Sequence, residues 1–407
     1  MEDSKKLSYK SVVILGFLVY FLSFIMRVDY TAPMLLMADE SGINKSLVLT
    51  AIKGSFLTYG IGLILFGILG DKLSPIKLIS ASLVGTLTVD FLFAFFNNIN
   101  ILTVLFCLSG LFQALLLPSI TRFVLEQVGD KKYPSAITII SLSAPISLML
   151  TYLLMPDVLD FKAWKSALLY VAIFGLLVLG LWLYLTRNTK FFKAKAEENF
   201  SQTTTTKRWL FVLGLVPLII ITIVEATLRD SMQNWAPDLI NEQLDLKENA
   251  SSLWLLILPL FNIIGAVLGW LLYKKLKHEI KAAVIAFIIA FLGTLLLILD
   301  LDMPPITVGA AALILGSAFV ANHLLIFILP KSFSKYGRVA TSSGILNALT
   351  YIGFSISIFG FLPVVEIESW ELVLIYCFLF AVVGVLFCAF KIKGWTKFIE
   401  NDSNETN

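Results

Sequence analysis

Two arginines that lie inside apolar segments are the residues of this chain best suited to chemistry. Arg27 and Arg229 are 202 positions apart, and the same offset relates Lys72 to Lys274. A cation at the centre of a bilayer is disfavoured by roughly 2.5–3.5 kcal/mol, so such a charge is rarely kept without a role. The guanidinium offers a planar fork of donors that matches carboxylate and phosphate oxygens. The repeated pair therefore predicts a site for an anion.

The elements that carry these arginines are predicted to be membrane-spanning helices. Of the 407 residues, 58% are hydrophobic and 14% are charged, whereas about 25% are charged in a typical soluble domain. Apolar stretches of about 20 residues, the length that crosses a hydrocarbon core, recur along the chain. These runs are continuous rather than alternating, which argues against a transmembrane β-barrel. The composition thus predicts an all-α polytopic membrane protein.

Twelve spans are predicted, in two halves of six. The predicted spans are 11–38, 46–69, 76–96, 101–128, 134–155, 164–186, 208–237, 250–273, 280–299, 305–330, 339–362 and 369–391. A polar segment between the sixth and seventh spans is rich in threonine, lysine and glutamate, which is typical of a flexible linker. The predicted organisation is therefore an N-terminal bundle (1–186), a linker (187–207) and a C-terminal bundle (208–407), related by pseudo-symmetry.

The distribution of lysine and arginine predicts the orientation. The termini and the even-numbered loops hold 23 of the 31 cations, and the odd-numbered loops hold four. Because cytoplasmic loops are enriched in lysine and arginine, both termini are expected to be cytoplasmic, in a multi-pass protein of the plasma membrane. The four remaining cations, which belong to neither face, are Arg27, Lys53, Arg122 and Arg229.

Arg27 shares its predicted helical face with Tyr20 and Tyr30, two turns before it and one turn after it. A face with a guanidinium and phenols suits an anionic ligand, although Arg27 could instead pair with an embedded acid and hold helices together. Lys53 follows an outer loop by about two turns, so it is a candidate cavity residue or a lysine that reaches the membrane interface.

Arg229 has Glu225 one turn earlier on the same face, so two interpretations stay open. Arg229 is predicted to contact the substrate or to pair with Glu225, and Glu225 is a structural counter-ion or a protonatable coupling group. Asn322 and His323 lie in the middle of the tenth span and are further candidates for the site. A lone buried histidine is more often structural, so proton coupling by His323 is an alternative rather than a default.

Other charged residues are candidates for gating. Arg122 and Glu126 are one helical turn apart in the fourth span, a spacing that predicts a structural or gating salt bridge. Asp71 and Lys72 lie in the short loop after the second span, where Asp71 can cap a helix. That loop is predicted to act as a conformational latch, or simply to fix the topology.

The sequence lacks the signatures of enzymes that would need a cofactor or metal. It has no Walker-A loop, no nucleophile elbow and only two histidines. The three cysteines all fall in apolar segments, so no disulfide framework is expected. We expect no enzymatic activity, no cofactor, no metal site and no nucleic-acid partner.

The motifs resemble those of the major facilitator superfamily and, within it, the organophosphate:phosphate antiporter family. The matching pieces are Tyr20 and Arg27, then Gly70-Asp71-Lys72 with Pro75, then Gly110-Leu-Phe-Gln113 with Pro118 and Arg122, and finally Leu228-Arg229 with Asn234-Trp235-Ala-Pro237. The resemblance implies a cavity between two six-helix halves, lined by helices one, four, seven and ten. It also implies that the two arginines bind phosphate, and it adds Asn234 and Trp235 to the candidate site.

These observations lead to one expected function and two alternatives. We expect a monomeric secondary transporter that exchanges a small organic anion, a phosphorylated metabolite, for inorganic phosphate by alternating access. The first alternative is a proton- or sodium-coupled carboxylate or hexuronate symporter, which would use Arg27 for the carboxylate and Glu225 or His323 for coupling. The second is a transporter-like sensor, which the short polar extensions beyond the spans argue against.

Overall fold

The fold is known from a computed structural model of the chain. The structure describes residues 6–28, 45–93, 95–96, 98–158, 164–189, 205–243, 251–299, 303–361 and 370–400. Within these ranges the regular structure is entirely helical. The predicted all-α class is thereby confirmed.

The helices follow the apolar runs of the sequence. Those of the first half are α1 (Tyr9–Val28), α2 (Lys45–Gly70), α3 (Pro75–Phe93), α4 (Ile99–Ala114), α5 (Leu116–Val128), α6 (Tyr133–Ser141), α7 (Ser143–Val158) and α8 (Trp164–Thr186). Those of the second half are α9 (Thr205–Gln243), α10 (Ser251–Leu276), α11 (Glu279–Ile298), α12 (Pro304–Asn322), α13 (Val339–Ser355) and α14 (Trp370–Glu400). The fourth and fifth predicted spans each form two consecutive helices, which meet at Leu115 and Leu142.

Length and composition mark ten helical segments of the described chain as able to cross a membrane, and Tyr170–Thr186 in α8 as a shorter apolar helix. The long helix α9 carries Glu225, Arg229 and Asp230 within two turns. Such charges inside an apolar segment are unusual unless they have a role, so α9 is a candidate functional element.

The chain divides into two compact units, each with its own packing. Unit 1 comprises Met1–Ala194 with Arg338–Ile345, and unit 2 comprises Lys195–Gly337 with Leu346–Asn407. Helix α13 is thus shared, because its first residues, up to Ile345, belong to unit 1 and the rest to unit 2.

In unit 1, small residues bring α2 and α4 into close contact. A Cβ atom on Gly110 would lie 2.5 Å from the Ser55 carbonyl oxygen, and one on Gly62 would lie 2.7 Å from the Ala114 Cβ. The Thr58 hydroxyl also donates to the Cys107 carbonyl at 2.8 Å. Small residues and a hydroxyl that bridges two helices are typical of membrane helix pairs. This contact places the middle of α2 beside the end of α4.

In unit 2, two helices change their winding. Helix α12 continues into a π-helical segment, His323–Ile328, and then into a 3-10 segment, Leu329–Tyr336. Helix α13 likewise ends in a π-helical segment, Ile356–Gly360. π-Helical turns are rare and occur often at functional sites, because they alter the register of the side chains that follow. Gly353, just before the second one, allows α13 to approach α9: a Cβ there would lie 2.7 Å from the Ile223 carbonyl oxygen.

A buried carboxylate ties the last helix to the rest of unit 2. Glu279, at the start of α11, accepts hydrogen bonds from the Ser332 hydroxyl at 3.0 Å and from the Trp395 indole at 3.1 Å. Trp395 is fully buried and stacks on Phe398, with ring centroids 4.8 Å apart. A buried charge is tolerated where its lone pairs are satisfied in this way.

Candidate functional site

The arginine of unit 1 lies near the end of the described part of α1 and contacts side chains of α2 and α4. Its Nε–H donates to the Gln113 side-chain carbonyl on α4 at 3.0 Å. Its guanidinium lies 4.2 Å from the Tyr59 ring centroid on α2 and 5.0 Å from that of Phe24. The Gln113 amide in turn donates to the Ser109 hydroxyl at 3.2 Å, which orients its oxygen toward Arg27. The structure therefore positions a half-buried cation with an amide and aromatic faces.

The structure places the other residues predicted for this part of the site in different surroundings. Tyr20 is buried and packs edge-on against Phe24, with ring centroids 5.1 Å apart. It is connected to Arg27 through Phe24, over which the guanidinium lies. Tyr30 lies outside the described residues. Lys53 has an exposed side chain. Its two predicted roles, in a cavity or at the membrane interface, remain predictions.

The arginine of unit 2 lies between two carboxylates. The Arg229 Nε–H and one terminal nitrogen donate to the two carboxylate oxygens of Asp230, at 2.9 and 3.0 Å. The other terminal nitrogen lies 3.8 Å from a Glu225 oxygen, an ion pair without a hydrogen bond. Of the two interpretations of Arg229, the structure shows the ion pair with Glu225 and adds Asp230 as a second partner, while substrate contact remains a prediction. One guanidinium and two carboxylates give this cluster a formal charge of −1.

Glu225 and Asn322 connect this cluster to α12. Glu225 is completely buried, and its second oxygen accepts a hydrogen bond from the Asn322 amide at 3.5 Å. Asn322 is the last residue of α12 before the π-helical segment. His323, the next residue, is buried and stacks on Phe327 with centroids 5.5 Å apart. The two neighbouring candidates thus differ, since Asn322 contacts the charged cluster whereas His323 packs against an aromatic ring.

Asn234 and Trp235 lie further along α9. The Trp235 indole donates to the Ser357 carbonyl at 3.3 Å, within the π-helical end of α13. Trp235 therefore satisfies a carbonyl in a segment with irregular backbone bonding. The side-chain nitrogen of Asn234 is buried and has no hydrogen-bond partner within the described part of the chain.

In unit 1, Asp71 caps the N-terminus of α13. Its two oxygens accept the backbone N–H groups of Ala340 and Thr341, at 2.8 and 2.9 Å, and the Thr341 hydroxyl. A carboxylate at this position accepts hydrogen bonds from the first N–H groups of the helix, which have no acceptor within the helix, and its negative charge complements the helix dipole. Burial raises the pKa of Asp71 above its usual value of 3.8, while the hydrogen bonds from Thr341 and Ala340 oppose the shift. The neighbouring Lys72 is exposed.

Arg122 and Glu126 form the predicted ion pair, with the Arg122 Nε 2.7 Å from a Glu126 oxygen. Arg122 is buried and also donates to the carbonyls of Gly70 and Leu73, the latter at 3.2 Å. The pair is therefore confirmed as a contact, and it holds the loop that carries Asp71. A gating role for these residues remains a prediction.

Three contributors were not assigned to the site from the sequence. Tyr59 and Gln113 contact Arg27 from other helices, and Asp230 fills the fork of Arg229. A mid-span glutamine and tyrosine are a weak signal that could have indicated the first two. Helical spacing gives no indication of the Asp230 contact, because consecutive residues of a helix do not share a face. In the structure the two side chains nevertheless meet.

The clusters combine guanidinium groups with carboxylates. Among the described residues, no group of three or more histidines, cysteines, aspartates or glutamates could hold a metal ion. A guanidinium is a permanent cation, whereas a carboxylate is an acceptor that can exchange a proton. Such groups suit charge recognition and coupling.

An all-helical chain with many apolar helices of membrane-crossing length, and with charges inside them, defines a polytopic membrane protein. Its family follows from a family model: that of the Major Facilitator Superfamily matches residues 12–358. The chain belongs to this superfamily, whose members are secondary transporters rather than enzymes. No curated protein matches the sequence. This match identifies the superfamily and does not distinguish the organophosphate:phosphate antiporters from its other members.

Proposed function

We propose that the protein is a secondary transporter of a small organic anion in the plasma membrane. The observation that carries this proposal is Arg27, a half-buried cation on an apolar helix whose Nε–H is oriented by Gln113 and whose guanidinium lies over Tyr59. The guanidinium offers a planar fork of donors that matches the oxygens of a carboxylate or a phosphate. At an effective dielectric constant near 20, attraction to an anion at 4 Å is about 4 kcal/mol before desolvation.

We further propose that the anion is a phosphorylated metabolite exchanged for inorganic phosphate. Arg27 and Arg229 would both bind the anion, and Asn234, Trp235 and Asn322 would contribute polar groups. The motif resemblance to the organophosphate:phosphate antiporters supports this choice. In the proposed cycle, the Asp71 cap and the Arg122–Glu126 pair would act as gating contacts.

A second candidate is a proton-coupled carboxylate symporter, which one observation favours. Unit 2 places Glu225 and Asp230 beside a single guanidinium, so one carboxylate exceeds the positive charge. A buried excess carboxylate can take up a proton as the transported anion binds. In this scheme Arg27 binds the substrate carboxylate and Glu225 carries the proton.

The test of anion transport is to replace each arginine by lysine, which keeps the charge but removes the planar fork. In proteoliposomes, Arg27→Lys and Arg229→Lys should each lower uptake of labelled sugar phosphate or hexuronate at least about tenfold, corresponding to about 1.4 kcal/mol. Arg187→Lys is the matched control, because Arg187 is exposed and its guanidinium lies over the Tyr184 ring, outside both arginine clusters. Undiminished uptake by both site variants would reject the proposal.

The mode of coupling is tested on the same vesicles. Exchange predicts that internal phosphate accelerates uptake and that a proton gradient does not. Symport predicts that a proton gradient accelerates uptake and that internal phosphate does not. In that case the Glu225→Gln variant should still bind the substrate at equilibrium but should no longer accumulate it in response to a proton gradient. Phosphate-stimulated uptake that is unchanged in Glu225→Gln would remove the second candidate.

A further inference from the structure

We infer that Asp230 is an internal anion that occupies the fork of Arg229, and that a substrate oxyanion binds there by displacing it. The inference rests on the proposed function, since it takes Arg229 to be part of the substrate site. It assigns Asp230 as a residue that determines specificity. The ligand class that it predicts is an oxyanion with two neighbouring oxygens, a carboxylate or a phosphate.

The geometry of the pair is that of a bound ligand. Asp230 presents one oxygen to Nε and the other to a terminal nitrogen of Arg229, at 2.9 and 3.0 Å. Two parallel, charge-assisted hydrogen bonds are the arrangement in which arginine binds carboxylates and phosphates. An anion with a single contact point, such as chloride, cannot replace both bonds at once.

The pairing is not a requirement of the helix. Residues that stabilise a helix through their side chains are three or four positions apart, whereas consecutive residues diverge by about 100° around the axis. The i,i+4 partner of Arg229 is Glu225, yet it lies 3.8 Å away without a hydrogen bond. The guanidinium has therefore turned its fork toward the neighbour that fills it.

Burial distinguishes the partner that can leave from the one that stays. The side chains of Arg229 and Asp230 are 14% and 10% exposed, whereas Glu225 is 0% exposed and contacts Asn322. Asp230 is thus the less buried of the two carboxylates and the one assigned to leave the fork. Glu225 then remains as the buried counter-charge of Arg229, which keeps the guanidinium in place.

Displacement reduces the apparent affinity for substrate by a predictable factor. If the fork is open for a fraction of the time, the apparent Kd equals the intrinsic Kd divided by that fraction. A carboxylate held by two hydrogen bonds is expected to leave the fork open about 10% of the time or less. Removal of the Asp230 charge should then tighten anion binding about tenfold or more.

The experiment measures binding of inorganic phosphate, glucuronate and chloride to the purified full-length protein by calorimetry. Asp230→Asn should lower the Kd for phosphate or glucuronate at least about tenfold, and chloride should not bind to it. Asp238→Asn, a change at an exposed aspartate on the same helix, should leave the Kd unchanged. Glu225→Gln, which removes an equal charge outside the fork, should lower the Kd by a clearly smaller factor than Asp230→Asn does.

Each outcome decides the inference. Equal tightening in Asp230→Asn and Glu225→Gln would mean that only the local charge matters, and an unchanged or weaker affinity in Asp230→Asn would mean that Asp230 does not compete. Either result overturns the inference while anion binding by the natural protein still supports the proposed function. If neither the natural protein nor any variant binds an oxyanion, both proposals fail. Asp230→Ser replaces Asp230→Asn if the latter does not fold.

Discussion

At the residue scale, the two arginines that the sequence repeats lie in unlike environments. Arg27 contacts an amide and two aromatic rings, whereas Arg229 contacts two carboxylates. The fork of Arg229 is filled by the two carboxylate oxygens of Asp230, so a ligand that binds there meets a competing anion. The two arginines are therefore expected to contribute differently to anion binding.

The orienting role of Gln113 gives a prediction at this scale. Gln113→Leu keeps the volume but removes the acceptor for the Arg27 Nε–H, a hydrogen bond to a charged group whose loss is expected to cost about 1.5 kcal/mol. The KM for the transported anion should rise about tenfold, with expression unchanged. Gln127→Leu, which removes another buried amide of unit 1 that bonds the Leu7 N–H, is the control. Equal KM values for the two variants would contradict an orienting role.

At the element scale, α2 shows how glycine distribution sets helix contacts. A Cβ on Gly67 would lie 2.9 Å from the Ala340 carbonyl oxygen, whereas one on Gly60 would meet no atom within 4 Å. Both glycines lie on one helix, and the contact of Gly67 with Ala340 lies within unit 1. Gly67 therefore allows a close backbone approach, while Gly60 makes no comparable contact.

This difference predicts opposite effects of the same substitution. Gly60→Ala should leave thermal stability unchanged or raise it by up to about 1 kcal/mol, because alanine favours the helix. Gly67→Ala should lower stability by about 1–3 kcal/mol, because the methyl group forces backbone apart at a tight contact. Thermal unfolding of the purified protein compares the two. Similar shifts in both variants would show that the contact at Gly67 is dispensable.

At the scale of the whole molecule, the charge distribution predicts how the chain crosses the membrane. The loops expected on the cytoplasmic face hold most of the 31 lysines and arginines, and Lys72, Lys77 and Lys274 in two of them are exposed side chains. The strength of this bias favours one orientation, with both termini cytoplasmic.

The orientation is checked by labelling with a maleimide that does not cross membranes. In a Cys107→Ser background, intact cells should label Asn98→Cys, between the third and fourth spans, and should not label Lys72→Cys, between the second and third. Cys377 and Cys388 are buried and can remain. Permeabilised cells should label both, which controls for reactivity. Labelling of Lys72→Cys from outside would invert the proposed topology.

Much of the fold could be predicted because hydropathy and length alone define membrane helices. The apolar class, the positions of the long helices and the charges inside α9 followed from these properties. The interruptions at Leu115 and Leu142 and the π-helical ends of α12 and α13 could not be predicted, since they arise from packing between helices rather than from local propensity.

The candidate site was less predictable than the fold. Helical spacing correctly indicated the Arg122–Glu126 pair and the proximity of Glu225 to Arg229, because i,i+4 neighbours share a face. The same rule does not indicate the contact between Arg229 and Asp230, because adjacent residues do not share a face. Contacts between helices, such as Arg27 with Tyr59, depend on the tertiary arrangement and have no local signature.

The Glu279–Trp395 hydrogen bond has a practical consequence for handling this protein. Trp395 lies close to the end of the described chain, and the residues around it seal a carboxylate from solvent. A truncation of α14 before Trp395 would expose the Glu279 carboxylate to solvent. It would also weaken the contacts among α11, the 3-10 segment and α14, so deletions made to aid crystallisation belong after Glu400. A purification tag attached beyond that residue is expected to leave the Glu279–Trp395 hydrogen bond intact.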